Sequence, residues 1–225
     1  LQYLQTKLKT LYKSVVFILG NIHIVVKSIY RGRSFIVDDK QIFASVEVCD
    51  HEVRMVVGEF FSPRLNILKV EMIPCSGLSY NTINNADEII SAIETACKQT
   101  EQMLSAKLEK VILSIPSYQM QRKSVRVTVP VKGYDGVVSV QDIRNAMKLA
   151  ERQVSIGKEL ALVQTVCVKY TIDGIASRRI PIGERAKELV VDIDLLCADR
   201  QLAYSLVGCI EKAGLQVMDI YLDTY

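Results

Sequence analysis

Between Glu47 and Glu52 the chain reads Glu-Val-Cys-Asp-His-Glu. Three carboxylates, a thiol and an imidazole within six residues are the raw material of acid–base chemistry or metal binding. The rest of the chain does not supply the partners those chemistries need. Only His23 and His51 occur, and with so few histidines no Ser/His/Asp or Cys/His arrangement can be argued. The six cysteines, Cys49, Cys75, Cys97, Cys167, Cys197 and Cys209, form no C-x-x-C pair, and no metal-ligand spacing is present. Most sit inside apolar runs, which reads as small core residues in a reducing cytoplasm. His51 beside Asp50 is read as a turn residue. A second candidate is cationic: Arg178, Arg179 and Arg185 could dock an acidic partner, against the plainer reading of a solvated loop. Arg122, Lys123, Arg126 and Lys132 form a basic stripe, read as charge that guards a sheet edge.

The elements that must position these residues follow from composition and periodicity. The chain has 225 residues, 49% hydrophobic and 24% charged, enough for one large domain or two small ones. The first forty residues hold seven Lys/Arg against Asp38 and Asp39, while the other 185 carry 21 Lys/Arg and 23 Asp/Glu. The body is thus mildly acidic, which argues against nucleic acid as partner. Residues 1–39 read as a basic, apolar extension. Its uninterrupted apolar run, Val15 to Leu19, is too short for a bilayer span of about 20 residues. The chain opens on Leu1 and its first methionine is Met55, so this extension is expected to be either a gene-start artefact or fragment edge, or a weak membrane-surface anchor.

Within the body, QIFASVEV, VRMVVGEF and LNILKVEMI predict a three-stranded meander. A polar loop, PCSGLSYNTINN, then leads to Asn85 as N-cap of a helix over 87–104, with Ile89, Ile93, Ala96, Cys97 and Leu104 on its apolar face. A strand over 110–115 follows. From Ser124 the pattern alternates strictly, placing Val125, Val127, Val129 and Val131 on one face of a strand whose Pro130 suits an edge. Ser139 and Asp142 predict a capping box for a helix to about Gln153, with Ile143, Ala146, Met147 and Ala150 inward. Long strands around 160–172 and 189–195, a helix over 199–213 ended by Gly214, and a last strand over 215–222 complete the chain. The second half therefore reads as an α+β layer, with both helices expected on one face of a sheet.

Three passages together resemble the bacterial cell-division protein family FtsA, within the actin-like ATPases. Phe43–Glu59, FASVEVCDHEVRMVVGE, is similar to the opening hairpin of that fold. Tyr170-Thr171-Ile172-Asp173-Gly174, followed by Pro181-Ile182-Gly183 and Leu189-Val190-Val191-Asp192-Ile193, resembles the family's Y-x-V-D-G and P-x-G-x-x-G-x-x-L-E-V-D-V. Leu206–Asp219, with VGCIEKAGLQVMD, is similar to V-x-x-x-E-x-A-G-L-x-V-x-D. The resemblance implies a partial actin-like, ribonuclease H-like subdomain 1A over 40–121, an inserted α+β subdomain 1C of SHS2 type over 122–213, and a return to 1A over 214–225. It also implies a cell-division role at the inner face of the membrane, in the cytoplasm, with contacts to other division proteins or to itself through 1C.

The departures from the family pattern bear on chemistry. The actin-like hairpin reads D-[IL]-G-T-[ST], where the Asp organises a metal, the Gly admits phosphate to the backbone and the hydroxyls donate to it. The matching positions here are Glu47, Val48, Cys49, Asp50 and His51. Cys49 obstructs the backbone approach, and Asp50 puts an anion where a donor belongs. Like charges about 4 Å apart repel by roughly 1 kcal/mol even in water. Glu47, Cys49 and Asp50 are therefore expected to form a degenerate nucleotide site. The second phosphate loop, D-I-G-G-G-T, has no counterpart, since no Gly-Gly pair occurs. No cofactor is expected unless a second half completes the site for ATP and magnesium, and no catalytic or metal-ligating residue is assigned. The expected function is protein interaction through the 1C-like part. Two alternatives stay open: the front half of a complete actin-like ATPase, or a relative of the pilus-assembly protein PilM.

Overall fold

The computed structural model describes residues 41–61, 64–132 and 134–223. The expectations for 1–39, His23 included, lie outside the described residues. The chain divides into two compact units, one running to Tyr118 and resuming at Leu202, the other formed by Gln119–Gln201.

The first unit is built on a mixed five-stranded sheet. Strands β1 (Gln41–Val48), β2 (Glu52–Phe61) and β3 (Arg64–Pro74) form the expected antiparallel meander. After it, the segment read as a loop contains a small hairpin, β4 (Leu78–Ser79) and β5 (Thr82–Ile83). Its turn residues Tyr80 and Asn81 both have positive φ, at 46° and 62°. Asn suits that conformation; a tyrosine there is unusual, which hides the hairpin from a reading by turn composition. Helix α1 (Ala86–Leu104) begins at Asn85, whose side chain accepts a hydrogen bond from the Glu88 amide. It buries Ile89, Ala92, Ile93, Ala96 and Thr100, and it packs on β2 and β3. Strand β6 (Lys110–Ile115) then lies parallel to β1, with Glu47 opposite Ser114.

The second unit starts with β7 (Gln121–Pro130), followed by helix α2 (Val140–Gln153) under the expected Ser139–Asp142 capping box. Strands β8 (Leu160–Ile172), β9 (Ile175–Ser177) and β10 (Glu188–Asp199) complete a sheet of order β7-β10-β8-β9. β7 is an edge strand, as Pro130 suggested. Its Val127 and Val129 join Leu189, Val191, Ile193 and Leu195 of β10 and Ala146 and Ala150 of α2 in one core. Ile143, Met147 and Val125 are partly buried around it.

Helix α3 (Arg200–Lys212) and strand β11 (Gln216–Leu222) end the chain. The expectation that both helices of the second half share one sheet is corrected here. From Leu202 onward the chain belongs to the first unit, and β11 pairs in parallel with β6 at the end of the order β11-β6-β1-β2-β3. Periodicity marks α3 as amphipathic but carries no information on which of two sheets its apolar face meets.

Candidate functional site

The β1–β2 turn is short and held on both sides. The Cys49 amide donates to the Glu52 carbonyl at 2.9 Å, and the Cys75 amide donates to the His51 carbonyl at 3.0 Å. With Val48 opposite Val53, the antiparallel register sets Glu47 opposite Arg54. Arg54 Nη1 donates to Glu47 Oε2 at 2.9 Å and its Nε donates to Glu52 Oε1 at 2.6 Å. All three side chains are largely shielded from solvent. A fourth acid arrives from the far end of the chain. Asp223 follows β11, donates its amide to the Ile115 carbonyl, and accepts the Ser117 amide on Oδ1 at 3.0 Å.

These groups make a negative cluster around one guanidinium. Burial pushes the Glu47 carboxyl up, and the nearby Asp223 charge adds to this, against the pull of Arg54. Burial pushes the Cys49 thiol up to about 12, with Glu47, Glu52 and Asp223 adding to the shift. At neutral pH Cys49 is therefore held as the protonated thiol, a poor nucleophile. Two polar atoms here are buried without a hydrogen-bond partner, Asp50 Oδ1 and Ser114 Oγ. Among the described residues no group of His, Cys, Asp and Glu is arranged to hold a metal ion.

The structure thus brings Glu47, Cys49 and Asp50 together at one sheet end, as consecutive positions must be, and adds Arg54, Ser114 and Asp223. Arg54 could have been found by counting the hairpin register outward from the turn. Asp223 left no local signal, because it arrives through a parallel strand at the opposite end of the sequence.

Arg178, Arg179 and Arg185 lie far along the chain in the second unit. The first two directly follow β9, and Arg185 pairs with Val137 in an isolated bridge. All three are exposed. Arg179 donates its amide to Ser177 Oγ at 3.0 Å. The basic stripe on β7 has a different character from a bare solvated edge. Arg126 grips Asp192 of β10 through two nitrogens, and Lys169 of β8 reaches the same carboxylate at 3.1 Å. Ser124 Oγ donates to Asp194 at 2.6 Å, with Arg122 at 3.8 Å from it. This is a cross-strand charge ladder over three strands.

No family model matches the chain. Curated relatives do. The cell division protein FtsA of Bacillus subtilis (strain 168) is 25% identical over 185 residues, 82% of this chain and 42% of that protein. FtsA of Enterococcus hirae is 22% identical over 80% of the chain. FtsA of Escherichia coli (strain K12) is 21% identical over 80% of the chain and 42% of that protein.

The chain is a divergent FtsA-like protein.

It spans about two fifths of the length of the curated relatives it matches. Among solved structures, the PilM–PilN type IV pilus biogenesis complex overlays 83% of the FtsA-like chain and 48% of its own, with a TM-score of 0.51 and 12% identity. At that identity the likeness is one of fold, a mixed α/β arrangement. Among the described residues no helix of the FtsA-like chain is long and apolar enough to cross a membrane.

Proposed function

We propose that this FtsA-like chain serves cell division by protein contact and does not turn over ATP. The second unit, Gln119–Gln201, is read as the inserted 1C subdomain of SHS2 type, and the first as part of an actin-like subdomain 1A. The place of action in this reading is the cytoplasmic side of the membrane, with other division proteins or a second copy as partners. Arg178, Arg179 and Arg185 are its candidate contacts.

One observation carries the non-catalytic part: the turn that would receive phosphate presents Cys49 and Asp50, backed by Glu47, Glu52 and Asp223, with Arg54 the cation set against them among the described residues. Arg54 is already engaged by two carboxylates. The orphaned atom at the turn, Asp50 Oδ1, is an acceptor, whereas a polyphosphate needs donors. The donor set here does not fit ATP. Titration with a fluorescent ATP analogue, with and without magnesium, tests this. Binding weaker than the millimolar range is expected, and tight magnesium-dependent binding overturns the reading.

The fold likeness to the PilM–PilN complex supports a second reading, pilus assembly, at the level of fold. Division genes or pilus genes beside the coding sequence separate the two.

A further inference from the structure

The second unit contains a groove beside the β8–β9 hairpin that the charge ladder does not use. Its volume is about 390 Å³; Tyr170, Ile172, Ile175, Ser177 and Pro181 line it together with the acids Asp173 and Glu184 and the single cation Arg185, while Arg178 and Arg179 stand beyond the lining at the end of β9. The far wall is pinned by backbone hydrogen bonds. The Gly183 amide donates to the Val138 carbonyl at 2.9 Å, the Val138 amide to Glu184 at 2.9 Å, and the Ala186 amide to Gly136 at 2.8 Å. The Glu184 amide closes a turn on the Pro181 carbonyl at 3.1 Å. A groove whose walls are tied in this way is preorganised, so a ligand need not order it on binding.

Three features define what would fit. First, Ile175 is 76% exposed on the rim, the most exposed large aliphatic side chain of this unit. Second, the sheet order ends at β9, so among the described residues its outer backbone edge carries no further strand. Third, charge is graded along β9. Asp173 precedes it in a turn with φ of 49°, and Arg178 and Arg179 follow it. None of Arg178, Arg179 and Arg185 forms an ion pair among the described residues. Glu184 also lines the groove next to Arg185 and leaves that wall near neutral.

We propose that this groove binds an extended peptide that seats one apolar side chain against Ile172, Ile175 and Pro181 and carries acidic residues on the side facing Arg178 and Arg179. The idea rests on reading the second unit as an interaction module. Open strand edges take extended peptides through backbone hydrogen bonds, with side-chain pockets setting specificity. Free guanidinium groups favour carboxylates through paired hydrogen bonds. Asp173 confines the acidic residues to one side of the anchor. A nucleic acid strand fits poorly, because Tyr170 is 5% exposed and offers no face for a base to stack on.

Fluorescence anisotropy with labelled nonapeptides and the full chain tests the proposal. The probe carries one central leucine followed by three glutamates, and the controls replace leucine by serine or the glutamates by lysines. The leucine–glutamate peptide is expected to bind saturably. Serine in the peptide, Ile175→Ser in the protein, or Arg178→Glu with Arg179→Glu should each weaken it at least tenfold, and added salt should weaken the wild-type complex. The altered positions are exposed, and thermal melts check that the variants fold. No saturable binding, equal binding of the lysine peptide, or indifference to Ile175→Ser overturns the groove. These outcomes are separable from failure of the function proposed above. Tight ATP binding overturns that function whatever the peptides do, and the peptide results decide the groove whatever nucleotide does.

Discussion

Arg54 closes on Glu47 across the β1–β2 ladder at 2.9 Å, and the same guanidinium holds Glu52 at 2.6 Å. Removing the cation while leaving both shielded acids should be costly. Arg54→Ala is expected to destabilise the chain by about 3 kcal/mol, since breaking one side of a shielded pair leaves uncompensated charge. Replacing the cation and both acids together, Glu47→Gln and Glu52→Gln with Arg54→Met, should recover most of the loss. Urea unfolding checks this through the midpoint, and a single variant as stable as the wild type would show that water already screens the pair.

Asp192 gives a pH signature. Its hydrogen bond to Arg126 is the leading cause that holds its carboxyl down to about 2, against an ordinary value of 3.8. A depressed folded-state value means the charged form is favoured by folding. The contribution is therefore complete above about pH 4 and fades as pH falls toward 2. Asp192→Asn should lower the melting temperature at pH 7, and the gap to wild type should shrink as acid is added. Glu47 carries the opposite sign. Its raised value makes the ionised form the disfavoured one in the fold, so its term improves as pH falls through the folded-state value. A gap for Asp192→Asn that stays constant from pH 7 to pH 2 would rule out the ladder as its source.

The helix starts offer a graded pair of tests. Asn85 caps α1 with one hydrogen bond to the Glu88 amide at 3.2 Å, and Asn85→Ala should cost about 1 kcal/mol. Asp142 is 1% exposed and accepts from the Ser139 amide at 2.8 Å, the Ser139 hydroxyl at 2.6 Å and the Lys132 amide at 3.2 Å. Asp142→Ala orphans three donors and should cost about 3 kcal/mol. Chemical denaturation of both variants checks the order, and equal losses would contradict it.

Much of this fold was legible because strands and helices here announce themselves locally. The β1–β3 meander, α1 with its Asn85 cap, β6, and α2 with its Ser139–Asp142 box all follow from alternation and capping chemistry. The failures have one physical origin: they depend on partners distant in sequence or on an unusual local conformation. The pairing of β11 with β6 is set by the sheet, not by its own residues. Tyr80 at positive φ gives no compositional warning of a hairpin. The same holds at the candidate site. Glu47, Cys49 and Asp50 were readable as neighbours, and Arg54 follows from hairpin register, but Asp223 needed the parallel strand to bring it in. The stripe on β7 looked like solvated charge until Asp192 and Asp194 were set opposite it by the ladder with β10.

Cys49 supplies the sharpest chemical check on the acidic turn. A thiol pushed up to about 12 is almost wholly protonated at pH 8, whereas a free cysteine with a value of about 8.5 is partly thiolate. Alkylation of Cys49 by iodoacetamide at pH 8 should therefore run about a thousandfold slower than that of a free thiol, because the thiolate is the reacting species. Burial, the largest cause, slows access as well, so the two must be separated. Glu47→Gln removes the neighbouring negative charge that contributes most after burial, while keeping the side chain's size. It should speed alkylation and shift its pH profile downward. Unfolding in urea should restore the ordinary rate. Peptide mass spectrometry after timed quenching resolves Cys49 from the other five thiols. If Glu47→Gln leaves the pH profile unmoved, burial alone governs this thiol, and the turn is less negative than its carboxylates suggest.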